Sequence, residues 1–237
     1  SRKHVTKYYD VSEIGDFPKR LPTKSFYTNI ASNEDMISYK TIYEELMNLT
    51  MGVYAPTLYI QPSKLSKYDK LYDIDVVGKP TLKQFNREKA LQRLMTINML
   101  KRLESCVDSF RITIQNVKSA SDKTIAIIDA LKKNDNYRSS QELDKIQVDK
   151  YEYDDLERDE TVTIGKIKID FKDMDLRKYK ADLKHDIQVL ETLYDIMSYI
   201  TPEKDLKLQK LIDEVSMKIE NPINNGNQKV LIFSAFA

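Results

Sequence analysis

The 237-residue chain has no tryptophan, one cysteine, two histidines and five glycines. The single Cys106 excludes an internal disulfide. His4 and His185 are too few for a histidine-rich zinc site and show no Glu-x-x-His spacing. None of the glycines falls in Gly-x-x-x-x-Gly-Lys-Ser/Thr, whose backbone N–H groups would have to approach a phosphate. No apolar run approaches the roughly 20 residues that cross a bilayer. No charged-then-apolar leader opens the sequence, and with the lone cysteine this predicts a reducing, cytoplasmic setting without a membrane partner. A net charge of +1 argues against an overwhelmingly basic nucleic-acid binder, although it hides an uneven distribution along the chain.

The remaining candidates for chemistry have simpler explanations. The pairs Asp159-Glu160 and Asp213-Glu214 do not follow hydrophobic strands and read as solvated carboxylates. Cys106 stands in a helical pattern with no histidine near in sequence, as expected of a packed or half-buried thiol. His185, between Lys184 and Asp186, reads as a surface residue. Asn48-Leu49-Thr50 matches a glycosylation sequon by chance inside a helical pattern. No catalytic, cofactor-binding or metal residue is assigned.

What the chain does have is charge and helical periodicity: 32% charged and 41% hydrophobic residues. A polar lead-in to about Ile30 contains one strand-like stretch, TKSFYTN. A helix is predicted from Ser32 or Asn33 through Met36, Tyr39, Ile42 or Tyr43, Leu46 and Leu49, stopping near Gly52. The Pro-punctuated stretch 55–80 reads as an ordered connector with at most short elements. Positions 81–133 carry apolar residues at Leu91, Leu94, Ile97, Leu100, Leu103, Val107, Phe110, Ile114, Val117, Ile128 and Leu131, uninterrupted by Pro or Gly. One helix of that length would reach roughly 80 Å and protrude as an arm, unless it breaks around Ser119–Asp122. An acidic, mobile connection follows to about residue 162, then an alternating stretch around Gly165 that suits a strand. A second long helix places Leu176, Leu183, Ile187, Leu190, Tyr194 and Met197 on one stripe and ends at Thr201-Pro202. A third runs from about Pro202 to Ile219 with Leu208, Leu211, Val215 and Ile219. The predicted fold is mainly α: an elongated antiparallel helical bundle with long coiled-coil-like helices, plus one or two short strands at the termini.

Basic residues form the one suggestive constellation. Lys83, Arg87, Lys89, Arg93, Lys101, Arg102, Arg111 and Lys118 lie along the long helical region and could neutralise phosphates on a duplex backbone. Glu88 and Glu104 dilute the row, so a solvated coiled-coil face stands beside that reading.

Three segments carry a family resemblance. KDLKLQKLIDEVSMKIENPINNGNQKVLIFSAFA resembles the start of the second RecA-like lobe in Swi/Snf-type helicase-like ATPases of superfamily two. Asp205, Lys207, Leu208 and Leu211 match a Ser/Asp-x-Lys-Leu-x-x-Leu helix, and Lys229 to Ser234 match a Lys-Val-Leu-Ile-Phe-Ser strand. SRKHVTKYYD is similar, at Arg2, Lys3 and Val5, to a segment near the end of the first lobe. NMLKRLESCVDSFRITI resembles a helix of a bacterial branch of these enzymes, one often tied to restriction or phage defence, with Cys106 in place of a serine.

The resemblance implies a piece of a larger ATPase, the helical insertion between two motor lobes. Residues 1–30 would be the tail of the first lobe, 31–133 the insertion with its long helix, and 134–162 an acidic flexible connection. Residues 163–228 would be returning helices and 229–237 the first strand of the second lobe. ATP and Mg²⁺ would belong to the parent, which would move along or remodel double-stranded DNA. The fragment itself would be a lever or DNA-backbone clamp, its partners the flanking lobes and duplex DNA. A coiled-coil protein-interaction module is the other reading. The apolar terminal strand is expected to be covered by the bundle, by TKSFYTN or by self-association with another copy.

Overall fold

The computed structural model describes residues 7–8, 19–31, 38–72, 84–133 and 169–234. The acidic connection, the stretch around Gly165, the predicted N-caps Ser32 and Asn33, and Lys83 lie outside them. The described chain is mainly helical, with α1 Tyr39–Met47, α2 Leu65–Tyr72, α3 Gln84–Ser105, α4 Val107–Lys133, α5 Leu176–Ser198 and α6 Leu206–Glu220.

Helix starts follow local capping chemistry. The α1 N-cap is Ser38, whose side chain accepts from the Thr41 N–H at 3.2 Å. Its extended backbone starts α1 at Tyr39, later than the pattern suggests. Pro202 does not open the third predicted helix; it lies in the preceding turn. Asp205 caps α6 instead, accepting from the Leu208 N–H at 2.9 Å. A carboxylate there satisfies an orphan donor and meets the positive end of the helix dipole, two gains that proline cannot supply.

The long helical stretch is interrupted at Cys106, and α4 runs unbroken through Ser119–Asp122. Around Cys106 the backbone keeps the bonds Cys106 N–H to Arg102 O (2.8 Å) and Phe110 N–H to Cys106 O (3.2 Å). The packing pattern gives a reason for the break. Buried Leu91, Met95, Met99 and Leu103 step by fours, which carries a stripe about 40° round the helix each time. In α4, Val107, Phe110, Ile114 and Val117 alternate steps of three and four and so keep one line. The interruption separates the two registers.

Helix α4 is not a free arm. Its inner line packs along α5, which buries Tyr179, Leu183, Leu190, Leu193 and Met197. The two run antiparallel. Arg111 Nη2 donates to the Ile200 carbonyl at 3.0 Å, Lys118 pairs with Glu191 at 3.3 Å, and Lys180 pairs with Asp129. Each core leucine or methionine contributes about 1.5–3 kcal/mol by leaving water.

The connector is the centre of the core. Residues Gly52–Tyr54, Pro56–Tyr59 and Pro62–Lys64 form three 3₁₀ turns, the first two packed against the long helices. Met51, Tyr54, Ala55, Tyr59 and Ile60 are buried. Met51 holds a left-handed backbone, φ 51° and ψ 38°, at a cost of about 1–3 kcal/mol for a non-glycine residue. Asp186 of α5 grips both neighbours, accepting from Thr50 N–H at 2.6 Å, Thr50 Oγ1 at 2.9 Å and Gly52 N–H at 3.0 Å. On the other side, Ile60 and Met174 form an isolated antiparallel bridge.

Among the described residues the predicted terminal strands are not seen. TKSFYTN has no regular structure and no strand partner among the described residues, and Tyr27 is 97% exposed. Residues 229–234 have no strand pairing either, and Leu231 and Phe233 are 83% and 88% exposed. Among the described residues, the bundle supplies only the wall of a groove near Ile232–Ser234.

Candidate functional site

The basic residues differ in burial, some half-buried against the scaffold and others exposed. Arg111 is half-buried on α4 and holds the Ile200 carbonyl, with its Nε 4.0 Å from Asp108. Lys118 is clamped between Asp122 at 3.1 Å and Glu191 at 3.3 Å. Those two hydrogen-bonded carboxylates push its ammonium pKa up. Lys118 ties α4 to itself and to α5, and Arg111 ties it to the turn just past α5, so they are not a row of cations presented outward. Arg102 is half-buried. Lys83 lies outside the described residues, and Arg87 is placed only by its α3 backbone.

Lys89, Arg93 and Lys101 are exposed on α3. Arg93 and Lys101 fall about 40° and about 120° round the helix from Lys89, an arc that also takes exposed Ile97 and Glu104. The opposite side is the buried line from Leu91 to Leu103.

Glu88 does not dilute this row. It is 4% exposed and turned inward, where its carboxylate accepts from the Thr57 N–H at 2.9 Å and from the Thr57 hydroxyl. Its place three residues before Leu91, on the apolar line, was the available signal. Residues 89–103, KALQRLMTINMLKRL, contain two lysines, two arginines and no acid. Glu104 closes the stretch and is exposed.

Other polar clusters serve packing. Tyr59 stacks on Tyr179 with ring centroids 4.4 Å apart and donates to Asp182 at 2.9 Å. Burial pushes both phenols well above their usual range, so both stay neutral, and the buried Tyr179 hydroxyl has no hydrogen-bond partner among the described residues. Asp173, 3% exposed, accepts from Lys67 Nζ at 2.6 Å and Tyr68 OH at 2.7 Å, which hold its pKa below the usual carboxylate range. His185, exposed as expected, contacts the Asn48 carbonyl through Nε2 at 3.0 Å. Cys106 is exposed, not packed. No group of His, Cys, Asp or Glu among the described residues could hold a metal ion.

An open groove of about 1360 Å³ lies where the α3–α4 break, the α5–α6 turn and Ile232–Ser234 meet. Its wall mixes Leu103, Val107 and Leu208 with Lys101, Glu104 and Asp205, so it presents no single charge. Lys207 spans it by donating to the Glu104 carbonyl at the end of α3. No helix among the described residues is long and apolar enough to cross a membrane. No protein-family model, curated protein or solved structure matches the chain.

Proposed function

We propose that the chain is the helical insertion of a Swi/Snf-type DNA translocase, a lever or clamp between two motor lobes. In this reading ATP, Mg²⁺ and the catalytic residues belong to the lobes. The observation that carries it is α6, the helix that holds one of the motifs of the resemblance. The motif residue Asp205 is its N-cap, yet the helix buries no residue at all. Leu211, Ile212 and Ile219 stay 40–47% exposed on its apolar stripe, beside the open run Val230–Phe233. The inner lines of α3, α4 and α5 are buried, whereas this one is open, which supports a surface made to be covered by other structure. The boundary at Lys229 rests on the sequence motif alone, because the strand is not paired.

Reading the coding sequence on both sides of this chain tests the proposal. Gly-x-x-x-x-Gly-Lys-Thr upstream and an arginine-containing helicase motif downstream are the expected result. Their absence, or robust ATP hydrolysis by this chain alone, overturns it. The same open stripe favours one other reading, a coiled-coil module that docks another protein. A solution mass well above 27.7 kDa would support that module over the insertion.

A further inference from the structure

We infer that α6, with the segment that returns beside it to Ser234, is a hinged flap over the groove, pivoting between Ile200 and Thr201. The flap does not depend on the translocase reading; within that reading it is the joint through which lobe movement reaches the bundle.

The pivot lies where a fixed residue meets an open turn. Ile200 is 1% exposed and Arg111 Nη2 holds its carbonyl at 3.0 Å, so it belongs to the scaffold. Thr201 to Lys204 are exposed and tied to α6. The N–H groups of Lys204 and Asp205 both donate to the Thr201 carbonyl at 3.0 Å, and Gln209 Nε2 donates to the Pro202 carbonyl at 2.8 Å. The chain after α6 is tied to it as well, with Lys218 Nζ donating to the Asn227 carbonyl at 2.6 Å and Gln228 Nε2 to the Ile219 carbonyl at 3.1 Å. From Gln228 it runs back antiparallel to α6, and Ser234 meets Ser105 beside the contact of Lys207 with Glu104. Turn, helix and returning segment therefore form one piece.

The bonds that hold this piece down lie at the surface. Lys207 Nζ donates to the Glu104 carbonyl, and the Ser234 and Ser105 hydroxyls share a hydrogen bond at 3.1 Å. Both land on the last two residues of α3, where the interruption at Cys106 leaves carbonyls without an intrahelical partner. Asn224 adds a tether to the lead-in, accepting from the Lys19 N–H at 2.6 Å and donating to the Lys19 carbonyl at 3.2 Å. No residue of α6 is buried, and among the described residues no other helix packs along it. Few buried apolar contacts and solvent-exposed bonds are the marks of a segment that opens at low cost in free energy. Leu103, Val107 and Ile200, core residues on the groove wall, are what closure shields.

At about 1.5 Å per residue α6 is about 22 Å long, so a swing of about 15° carries its far end about 6 Å. Pulsed EPR on the whole chain reads such a displacement. Spin labels go on the exposed positions Gln115→Cys of α4 and Glu220→Cys at the end of α6, in a Cys106→Ser background. This pair should show a main distance and a smaller population displaced by several ångströms, whereas Gln115→Cys with Lys184→Cys of α5 should show a single distance. Losing an exposed hydrogen bond shifts such an equilibrium about fivefold. Lys207→Met with Ser234→Ala should therefore enlarge the displaced population several-fold, with the α4–α5 distance and the helical circular dichroism unchanged. A single narrow α4–α6 distance that these two substitutions do not alter overturns the flap. A broad α4–α6 distance with loss of helical signal also overturns it, because α6 would then unravel rather than swing. Either result leaves the translocase reading standing.

Discussion

The carboxylate of Asp186, 1% exposed on α5, accepts the backbone N–H of Thr50 at 2.6 Å and its hydroxyl at 2.9 Å. With a third bond from Gly52, it fixes the left-handed Met51 between them. Burial pushes the Asp186 carboxyl pKa up, while the donated bonds pull the other way. Asp186→Ala should cost about 2–4 kcal/mol in urea denaturation, because buried donors lose their acceptor. Asp186→Asn keeps one carbonyl oxygen and should cost about half as much. Equal stability of Asp186→Ala and the parent would show that the turn needs no clamp.

Gly52 depends on Tyr59. A Cβ at Gly52 would lie 2.8 Å from the Tyr59 hydroxyl oxygen, and that ring is held by Tyr179 and Asp182. Gly52→Ala should destabilise by about 1–3 kcal/mol. In Tyr59→Phe, which lacks the oxygen, the same change should cost markedly less. A coupling energy of about 1 kcal/mol or more in the double-mutant cycle is the expected reading, and strict additivity would refute the contact.

Asp173 gives the fold an acid-sensitive joint. Its folded pKa is lowered by Lys67 and Tyr68, so the folded state binds its proton less readily than the unfolded chain does. The stabilisation is therefore present above the unfolded value of about 3.9 and lost as pH falls through the lower folded value. Thermal melts at decreasing pH should show the parent losing stability below about pH 4. Asp173→Asn should start lower and show a shallower fall in that window.

The α6 end should behave as surface in stability and as interface in association. Leu211→Ser and Phe233→Ser should change unfolding free energy by no more than about 0.5 kcal/mol, since both sites are exposed. Leu190→Ala, at a fully buried position of α5, should cost about 2–5 kcal/mol. If the apolar end pairs copies of the chain, ultracentrifugation should show concentration-dependent mass that the two surface variants reduce. A large stability loss in Leu211→Ser would mean that α6 is packed in solution.

Helices were legible wherever a stripe had one line and a strong start. The stripe Leu183, Leu190, Met197 located α5, although its buried line also takes Asp186, while Ile187 is only half-buried. A periodicity built from apolar residues has no means of ranking an aspartate into the core. The break at Cys106 was missed for a related reason: neither Pro nor Gly marks it, and the change from steps of four to alternating steps matters only once a partner helix fixes the line. KVLIF in residues 229–233 has strand composition, but a strand needs neighbours for its backbone groups, and none of the described residues supplies them.

The candidate face was half legible. Composition located the cations, but not which of them α5 would claim. Arg111 and Lys118 look like Lys89 and Arg93 until Ile200 and Glu191 are placed beside them.

By itself, the sequence determined the helical class, the places of the long helices, the lack of a recognisable catalytic motif and the positions of the basic residues. Those properties follow from local periodicity, capping and side-chain chemistry, which act within a few residues. The tertiary structure alone decided that the connector 51–60 is the core, that Glu88 and Asp186 are buried acceptors, and that three cations of α3 remain outward. Such outcomes depend on which distant donors and apolar faces meet, and a carboxylate goes inside only where partners such as Thr50, Gly52 or Thr57 replace its water.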